Sequence, residues 1–352
     1  MSAVPAIRAV VLDAARETVR IDAFVRDHPD STPFHLTGWG RAVAEGCGQR
    51  AHMLVAEAGG AIVGVLPLTE VRSRLFGRAL VSSGFAVGGG ILALSDAAAM
   101  MLAEAGWALA GRLGCPSLEL RGGALPTGAT WRIDDSQYAG FARPLAADDD
   151  AEMLAIPRKQ RAELRRALAG RLRVVVGRDA AALDAHYAVY AESVRNLGTP
   201  VFPRSLFRFV IRNLQQDSDI ISVYDDAVPV ASVLSLYHRG TVMPYWGGGT
   251  HRARAIRAND LLYFALMRHA RERGCTWFDF GRSKPGTGAF AFKKNWGFAP
   301  VPLRYATRTA PGAAARAINP LSPRYRMQVA LWRRLPLALA NRIGPPIARG
   351  LG

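Results

Sequence analysis

The feature that most constrains the fold is that the chain matches itself. Leu54–Leu68 (LVAEAGGAIVGVLPL) aligns without a gap on Ser222–Leu236 (SVYDDAVPVASVLSL). The Gly88–Gly90 tract answers Gly247–Gly249. Gly114–Leu120 (GCPSLEL) answers Gly274–Phe280 (GCTWFDF), with Glu119 opposite Asp279. Three matches in one order indicate a tandem duplication. Each copy reads as a hairpin, a strand, a glycine tract, a helix and a strand. Gly59-Gly60 and Asp225-Asp226 are the hairpin turns, and Ser95 or Asp96 and, in the second copy, Asn259 cap the helices. The expected class is α/β, an α+β mixed sheet in each half. A chain of 352 residues, half of them hydrophobic, can fill two cores. The expected units are 1–147, 148–310 and a C-terminal tail, 311–352.

The copies are unequal. Only the second carries Cys275–Phe298, CTWFDFGRSKPGTGAFAFKKNWGF. A strand to Phe280 is expected to run into a turn, Gly281-Arg282-Ser283-Lys284-Pro285-Gly286-Thr287-Gly288, and then a short helix ended by Gly297. Such a turn places backbone N–H groups beside Arg282 and Lys284, which suits an anion. The first copy keeps only Arg121-Gly122-Gly123 at this place, so the chemistry is expected in the second half or in the cleft between the two. The chain has 45 Lys and Arg, but only four are Lys: Lys159, Lys284, Lys293 and Lys294. Three of the four fall in this one stretch. Lys is a compact charge with a tunable pKa, which Arg cannot copy.

A formal charge of +17 implies an anionic partner: nucleic acid, phospholipid or a phosphorylated small molecule. Cys47, Cys115 and Cys275 stand far apart, which argues against a disulfide framework and fits a reducing cytosol. No His or Cys falls at metal-ligand spacing, so no metal site is expected. The N-terminal MSAVPAIRAVVLDAARE lacks the pattern of a signal peptide, and no run approaches the roughly 20 apolar residues of a membrane span. Pro157 starts a basic helix carrying Arg158, Lys159 and Arg161, a candidate phosphate or tRNA contact and equally a solvated basic face. Arg195, Asn196 and Thr199 lie on a polar turn that reads as an acceptor-side loop. From Pro311 onward the tail has seven Arg, from Arg316 to Arg349, and no acid. Met327, Val329, Leu331, Trp332, Leu335, Leu337 and Leu339 lie between them, and Pro336 interrupts the run. Such a helix suits either an anionic bilayer surface or docking on its own domain.

The order of elements resembles an acyl-CoA N-acyltransferase (GNAT) core, and two in tandem resemble the Fem family of aminoacyl transferases. Phe292-Lys293-Lys294-Asn295-Trp296-Gly297 is similar to that family's F-K-x-x-F-G segment. IPRKQRA, YAESVRNLGTPVFP, PYWGGGT, AND (Ala258-Asn259-Asp260), FDFGRSKPGTGAFAFKKNWGF and NPLSPRYRMQVALWRRLP resemble one branch more closely, the FemAB-like proteins associated with exosortase/PEP-CTERM systems and exopolysaccharide loci. Two departures stand out. Ala291 occupies a position that is acidic in that branch, and Arg252–Arg257 contains no glycine, so the R-x-x-G-x-G/A signature of a CoA pyrophosphate loop is missing.

The resemblance implies tandem GNAT-like cores with a degenerate first unit. It also implies acyl or aminoacyl transfer to an amine or hydroxyl of a saccharide or lipid-linked envelope precursor. The donor would be acyl-CoA or aminoacyl-tRNA, with no tightly bound cofactor. Lys293 matches the family's functional Lys, and its ammonium would meet an oxyanion, a phosphate or a carboxylate. Asp279 is a candidate base or a carboxylate that orients Arg282 or a loop N–H, and Tyr245 a candidate acid. Gly247, Gly248, Gly249, Asn259, Arg282, Ser283, Lys284, Gly286 and Thr287 would hold the donor. Arg158, Lys159, Arg161, Arg195, Asn196, Thr199 and Lys294 would meet substrate. Trp296 reads as core. A cytoplasmic protein is expected, with peripheral contact to the inner membrane as one of the two options for the tail. The competing readings are a nucleic-acid-binding protein and a membrane-surface scaffold for polysaccharide assembly, neither of them catalytic.

Overall fold

The computed structural model describes residues 6–10, 15–313 and 323–352. Most of the N-terminal stretch read for a leader, Arg316, and the side chains of Arg324 and Arg326 lie outside the described residues. The strands are β1 (Ala6–Val10), β2 (Arg50–Ala58), β3 (Ala61–Ser73), β4 (Gly77–Ser82), β5 (Leu92–Ala93), β6 (Ser117–Arg121), β7 (Arg132–Asp134), β8 (Ala139–Pro144), β9 (Arg173–Gly177), β10 (Ser218–Asp225), β11 (Val228–His238), β12 (Thr241–Gly249), β13 (Trp277–Ser283), β14 (Val301–Pro302) and β15 (Tyr305–Thr309). The helices are α1 (Ala15–Asp27), α2 (Thr37–Cys47), α3 (Asp96–Arg112), α4 (Asp149–Ala155), α5 (Arg158–Leu168), α6 (Ala180–Leu197), α7 (Arg204–Leu214), α8 (His251–Ala255), α9 (Ala258–Glu272), α10 (Gly288–Asn295), α11 (Pro323–Arg334) and α12 (Leu337–Ala348).

Two mixed sheets form. One runs β1-β2-β3-β4-β6-β15-β7, with β5 on β3, and the other β14-β8-β13-β12-β11-β10-β9. Each contains one parallel pair, β4 with β6 and β12 with β13. The duplication is real at the level of register. Leu54 faces Leu66 and Ile221 faces Val233, so the hairpins superpose at an offset of 167. Each has its bulge at the corresponding place, Ala56/Glu57 and Val223/Tyr224. The gapless alignment above is therefore one residue out. Strand side chains alternate with period two, so similar residues still match after a slip while their faces invert.

The third match holds: Leu118 pairs Leu80 as Phe278 pairs Val242. The glycine tracts do not correspond. Leu92 and Ala93 occupy the ladder positions of Gly248 and Gly249. The first unit takes twelve residues from Leu80 to Leu92 where the second takes six, from Val242 to Gly248. Gly88–Gly90 belongs to that insertion.

Chain order and sheet order part company at one ribbon. β8, before the boundary drawn at residue 147, pairs β13 in the second sheet, while β15 returns to the first sheet between β6 and β7. Residues 132–144 and 301–309 run together as an antiparallel ribbon. Thr307 faces Arg132 in one sheet and Val301 faces Gly140 in the other. A shared apolar cluster joins the units, with Phe34 and Trp39 meeting Phe207, Leu234 and Trp246. Trp39 stacks on Trp246 at 5.7 Å.

Candidate active site

The site begins where a ladder ends. β12 and β13 pair only at Thr241–Trp277 and Val242–Phe278, and then part. β13 leaves because it bulges. Asp279 faces Ala142 and Arg282 faces Gly140, so Phe280 and Gly281 together oppose Phe141. Gly281 has φ +66°, the conformation that such a bulge needs and that other residues resist. The expected end of the strand at Phe280 is therefore too early. Arg282 and Ser283 are still paired, and the turn proper is Lys284–Thr287. Thr287 caps α10, accepting from Phe290 N and donating to the Lys284 carbonyl at 2.8 Å. Gly286 takes φ +78° within the turn.

Between the parted strands lies a cleft of about 1580 Å3. The backbone of Gly247–Gly249 forms one wall, and Arg282, Ser283 and the turn to Gly288 form another. α5, the end of α6, the start of α9, α10 and one stripe of α11 complete it. The glycines admit helices. A Cβ on Gly248 would lie 2.2 Å from Ser193 Oγ, and one on Gly249 would lie 2.5 Å from Asn259 Oδ1. In the first unit the corresponding gap is filled by residues 83–91. Gly90 passes so close that a Cβ would sit 1.8 Å from the Gly122 carbonyl, and the Arg121 guanidinium donates to the Ala86 carbonyl.

Lys293 lies under the turn and is only 9 % exposed. Its Nζ donates to the carbonyls of Arg282 (2.9 Å) and Gly281 (3.2 Å), within 6 Å of the rings of Phe141 and Phe280. Burial lowers its pKa to about 8, against the opposite pull of Asp279. It borders the cleft with one ammonium hydrogen still unassigned by these bonds. Asp279 does not line the cleft. Its Oδ1 accepts from Gly281 N at 2.7 Å and so holds the bulge, while burial raises its carboxyl. Tyr245 faces the other unit, donating to the Phe85 carbonyl at 2.6 Å among Phe34, Trp39 and Trp246. Burial pushes its hydroxyl up, which removes it from acid work in the cleft.

Arg282 donates to the Tyr305 hydroxyl at 2.9 Å and lies over the Tyr138 ring, wedged in the crossing ribbon. Lys284 also lies beside Tyr138, and burial lowers its pKa. Ser283 is buried, with no hydrogen-bond partner for Oγ. Asn259 borders the cleft but is not the helix cap. That position is Arg257, at φ +59°, because Asn259 already lies inside the first turn of α9.

The structure divides the expected substrate contacts. Lys159, Asn196, Thr199 and Lys294 line the cleft. Arg158 is exposed and outside it. Arg161 instead donates to the Ile156 and Leu154 carbonyls and closes the end of α4. Arg195 donates to the Arg333 carbonyl and anchors α11 to α6. Trp296 is fully buried, as expected.

Asp260 is the group that sequence reasoning missed. It lines the cleft at 7 % exposure and accepts from Gln160 Nε2. Burial raises its carboxyl to about 6. An acid at the start of a helix normally reads as compensation for the helix dipole, which hid it. Among the described residues no cluster of His, Cys, Asp and Glu is arranged to hold a metal.

Residues 157–294 match the family model described as an acetyltransferase (GNAT) domain. No curated protein matches the chain. Among solved structures, FemX is similar at 16 % identity, covering 85 % of this chain and 96 % of its own, with a TM-score of 0.66. The C-terminal domain of a putative lysylphosphatidylglycerol synthetase from Agrobacterium fabrum is similar at 15 % identity, over 84 % and 91 % of the two chains, with a TM-score of 0.59. A tandem GNAT protein from the clavulanic acid biosynthesis pathway is similar at 13 % identity, over 88 % and 100 %, with a TM-score of 0.53. The chain thus carries an acetyltransferase (GNAT) domain in its second half within a fold like that of FemX and tandem GNAT proteins.

Proposed function

We propose that the protein is an acyl- or aminoacyltransferase working in the cleft between β12 and β13. It moves an acyl group from acyl-CoA or aminoacyl-tRNA to a saccharide or lipid-linked precursor of the cell envelope or exopolysaccharide. The observation that carries this reading is the parted parallel pair. It leaves one edge of β12 without a ladder partner beyond Val242, beside the cleft, and backbone N–H groups there are suited to a developing oxyanion. Among the described residues, eight Lys and Arg side chains and two carboxylates line the cleft, which favours a phosphate-bearing donor. Ligand pockets usually measure roughly 300–1,000 Å3, and this one exceeds that range, so donor and acceptor fit together.

Lys293 holds the turn that meets the donor, and Lys284 and Arg282 meet its phosphate. Lys159, Asn196, Thr199 and Lys294 meet the acceptor. The cleft lip includes Val329 and Arg333 of α11, and that helix exposes Met327 and Leu331. In this reading α11 lies on the anionic face of the inner membrane, where a lipid-linked acceptor would wait.

The test is calorimetric titration at fixed salt with acetyl-CoA, a longer acyl-CoA and aminoacyl-tRNA. Micromolar acyl-CoA binding that Lys284→Ala abolishes identifies CoA as the donor. Salt-dependent binding that prefers charged over uncharged tRNA identifies aminoacyl-tRNA. Binding of neither, or full transfer by Lys293→Ala, removes the assignment.

A further inference from the structure

The segment that fills the gap of the first unit is gripped from both units. Four successive carbonyls in it each accept from a side chain. Gly84 accepts from Trp39 Nε1 at 3.1 Å, Phe85 from the Tyr245 hydroxyl at 2.6 Å, Ala86 from the Arg121 guanidinium at 2.9 Å and Val87 from the Tyr305 hydroxyl at 2.8 Å. The donors alternate. Trp39 and Arg121 belong to the first unit and fix the segment there. Tyr245 belongs to β12. Tyr305, on the crossing ribbon, in turn accepts from Arg282 of β13 at 2.9 Å. The two parted strands are thus tied to one stretch of four residues. Each tie falls at a bulge. In β12, Leu234 pairs Trp246 and Ser235 pairs Pro244, so Tyr245 is the extra residue. In β13, Arg282 follows the bulge at Phe280 and Gly281. A bulge bends its strand and increases the local twist. Phe85 itself takes φ +63°, a conformation that a bulky residue keeps only where its surroundings hold it. Its ring packs edge-on against Phe202 at 5.5 Å.

We infer that Gly84–Val87 is a strut that sets the separation of β12 and β13, with Tyr245 and Tyr305 as its positioning residues. The inference rests on the acyltransferase reading above and gives the first unit a part in the reaction. Neither tyrosine borders the cleft, so each acts through another group. Tyr245 fixes the course of β12 just before Gly247, where backbone N–H groups face the oxyanion in that reading. Tyr305 fixes Arg282, which meets the donor phosphate, and with it the end of β13. Reacting groups held about 1 Å out of place lose up to roughly 10²-fold in rate, so a strut between the two walls governs turnover. The residues that close the gap of the first unit thereby hold open that of the second.

The experiment compares the wild type, Tyr245→Phe, Tyr305→Phe and the double variant. Glucosamine, which offers an amine and hydroxyls, is the acceptor probe, acetyl-CoA or alanyl-tRNA is the donor, and mass spectrometry reads the product. Tyr237→Phe is the control, because it removes a buried hydroxyl bond to Asp219 away from the cleft. Tyr245→Phe is expected to lower kcat about tenfold with KM for both substrates within about twofold, as for groups misplaced by part of an ångström. Tyr305→Phe lowers kcat similarly and also raises the donor KM, since Arg282 is released. The double variant falls no further than the worse single one, because freeing either wall already frees the separation. Tyr237→Phe lowers Tm at least as much as Tyr245→Phe and keeps its kcat. Unchanged kcat in Tyr245→Phe overturns the inference. So does a double variant whose loss is the product of the two single losses, or a control that loses as much kcat. All three outcomes leave the acyltransferase reading standing. No transfer by the wild type from either donor removes both.

Discussion

Lys293 illustrates how much a single side chain is asked to do in this cleft. Two of its three hydrogens hold carbonyls of the bulge, and its charge sits against aromatic rings out of water. Lys293→Met removes both the grip on the turn and the nearby charge. Transfer is expected to fall by about 10²–10³, the usual effect of deleting one positioned donor. Stability gives a separate signature. The unfolded chain holds this proton up to about pH 10.5 and the folded chain only up to about 8, so between those values the unfolded state binds more protons. Wild-type stability should therefore rise relative to Lys293→Met from about pH 8 to 10.5, and urea titrations at the two ends measure it. A constant difference would mean that the amine is solvated.

At this scale the Lys cluster was legible, because Arg replaces Lys almost everywhere else. Tyr245 was misread because alternation along a strand does not say which face meets a cleft and which meets the other unit. Arg161 and Arg195 were misread because neither a basic run nor a polar turn shows which of its cations close helix ends.

Elements rather than residues set the shape of the cleft. The glycines of β12 are spacers that let α6 and the start of α9 come against the strand. Gly248→Ala places a methyl group 2.2 Å from Ser193 Oγ, so α6 or β12 must shift. A loss of about 1–3 kcal/mol is expected from such overpacking, read as a lower Tm and a lower urea midpoint. Pairing the change with Ser193→Gly should return most of it. A single Gly248→Ala variant of unchanged stability would show that the helix stands further off.

The order of elements and the tandem copy were legible because hairpin turns and strand-helix alternation repeat in the sequence. The bulge was not. It depends on β8 pairing against β13 from a distant part of the chain, and nothing local to Asp279–Arg282 announces that partner. The unequal glycine tracts misled for a related reason: glycine marks close approach, and both units need it at different places.

The whole molecule is tied by parts that leave their own unit. The ribbon of residues 132–144 and 301–309 belongs to both sheets, so a boundary in the sequence divides the chain without dividing the fold. The tail is likewise neither free nor wholly buried. α12 packs Ala340, Gly344 and Ala348 inward, Gln49 donates to the Arg349 carbonyl at 2.7 Å, and α11 lays Val329 against Gly198. Docking on the protein, one of the two expectations for the tail, is thus the arrangement seen, yet it leaves an outer stripe. Met327 is 71 % exposed and Leu331 59 %, one helical turn apart, with Arg334 continuing the row. Among the described residues no helix is long and apolar enough to cross a membrane, so any membrane contact through this stripe is a surface contact. Each arginine near an anionic surface contributes about 1 kcal/mol, and the apolar pair adds burial that salt does not screen. The full chain should therefore co-sediment with vesicles of phosphatidylglycerol and phosphatidylcholine but not with phosphatidylcholine alone. Met327→Glu with Leu331→Glu should weaken that binding at least about tenfold while leaving Tm and transfer to a soluble acceptor unchanged. If the double variant binds as the wild type does, the contact is electrostatic and lies elsewhere on the +17 surface. If neither protein binds, the acceptor reaches the cleft from solution, and the stripe on α11 is ordinary exposed surface.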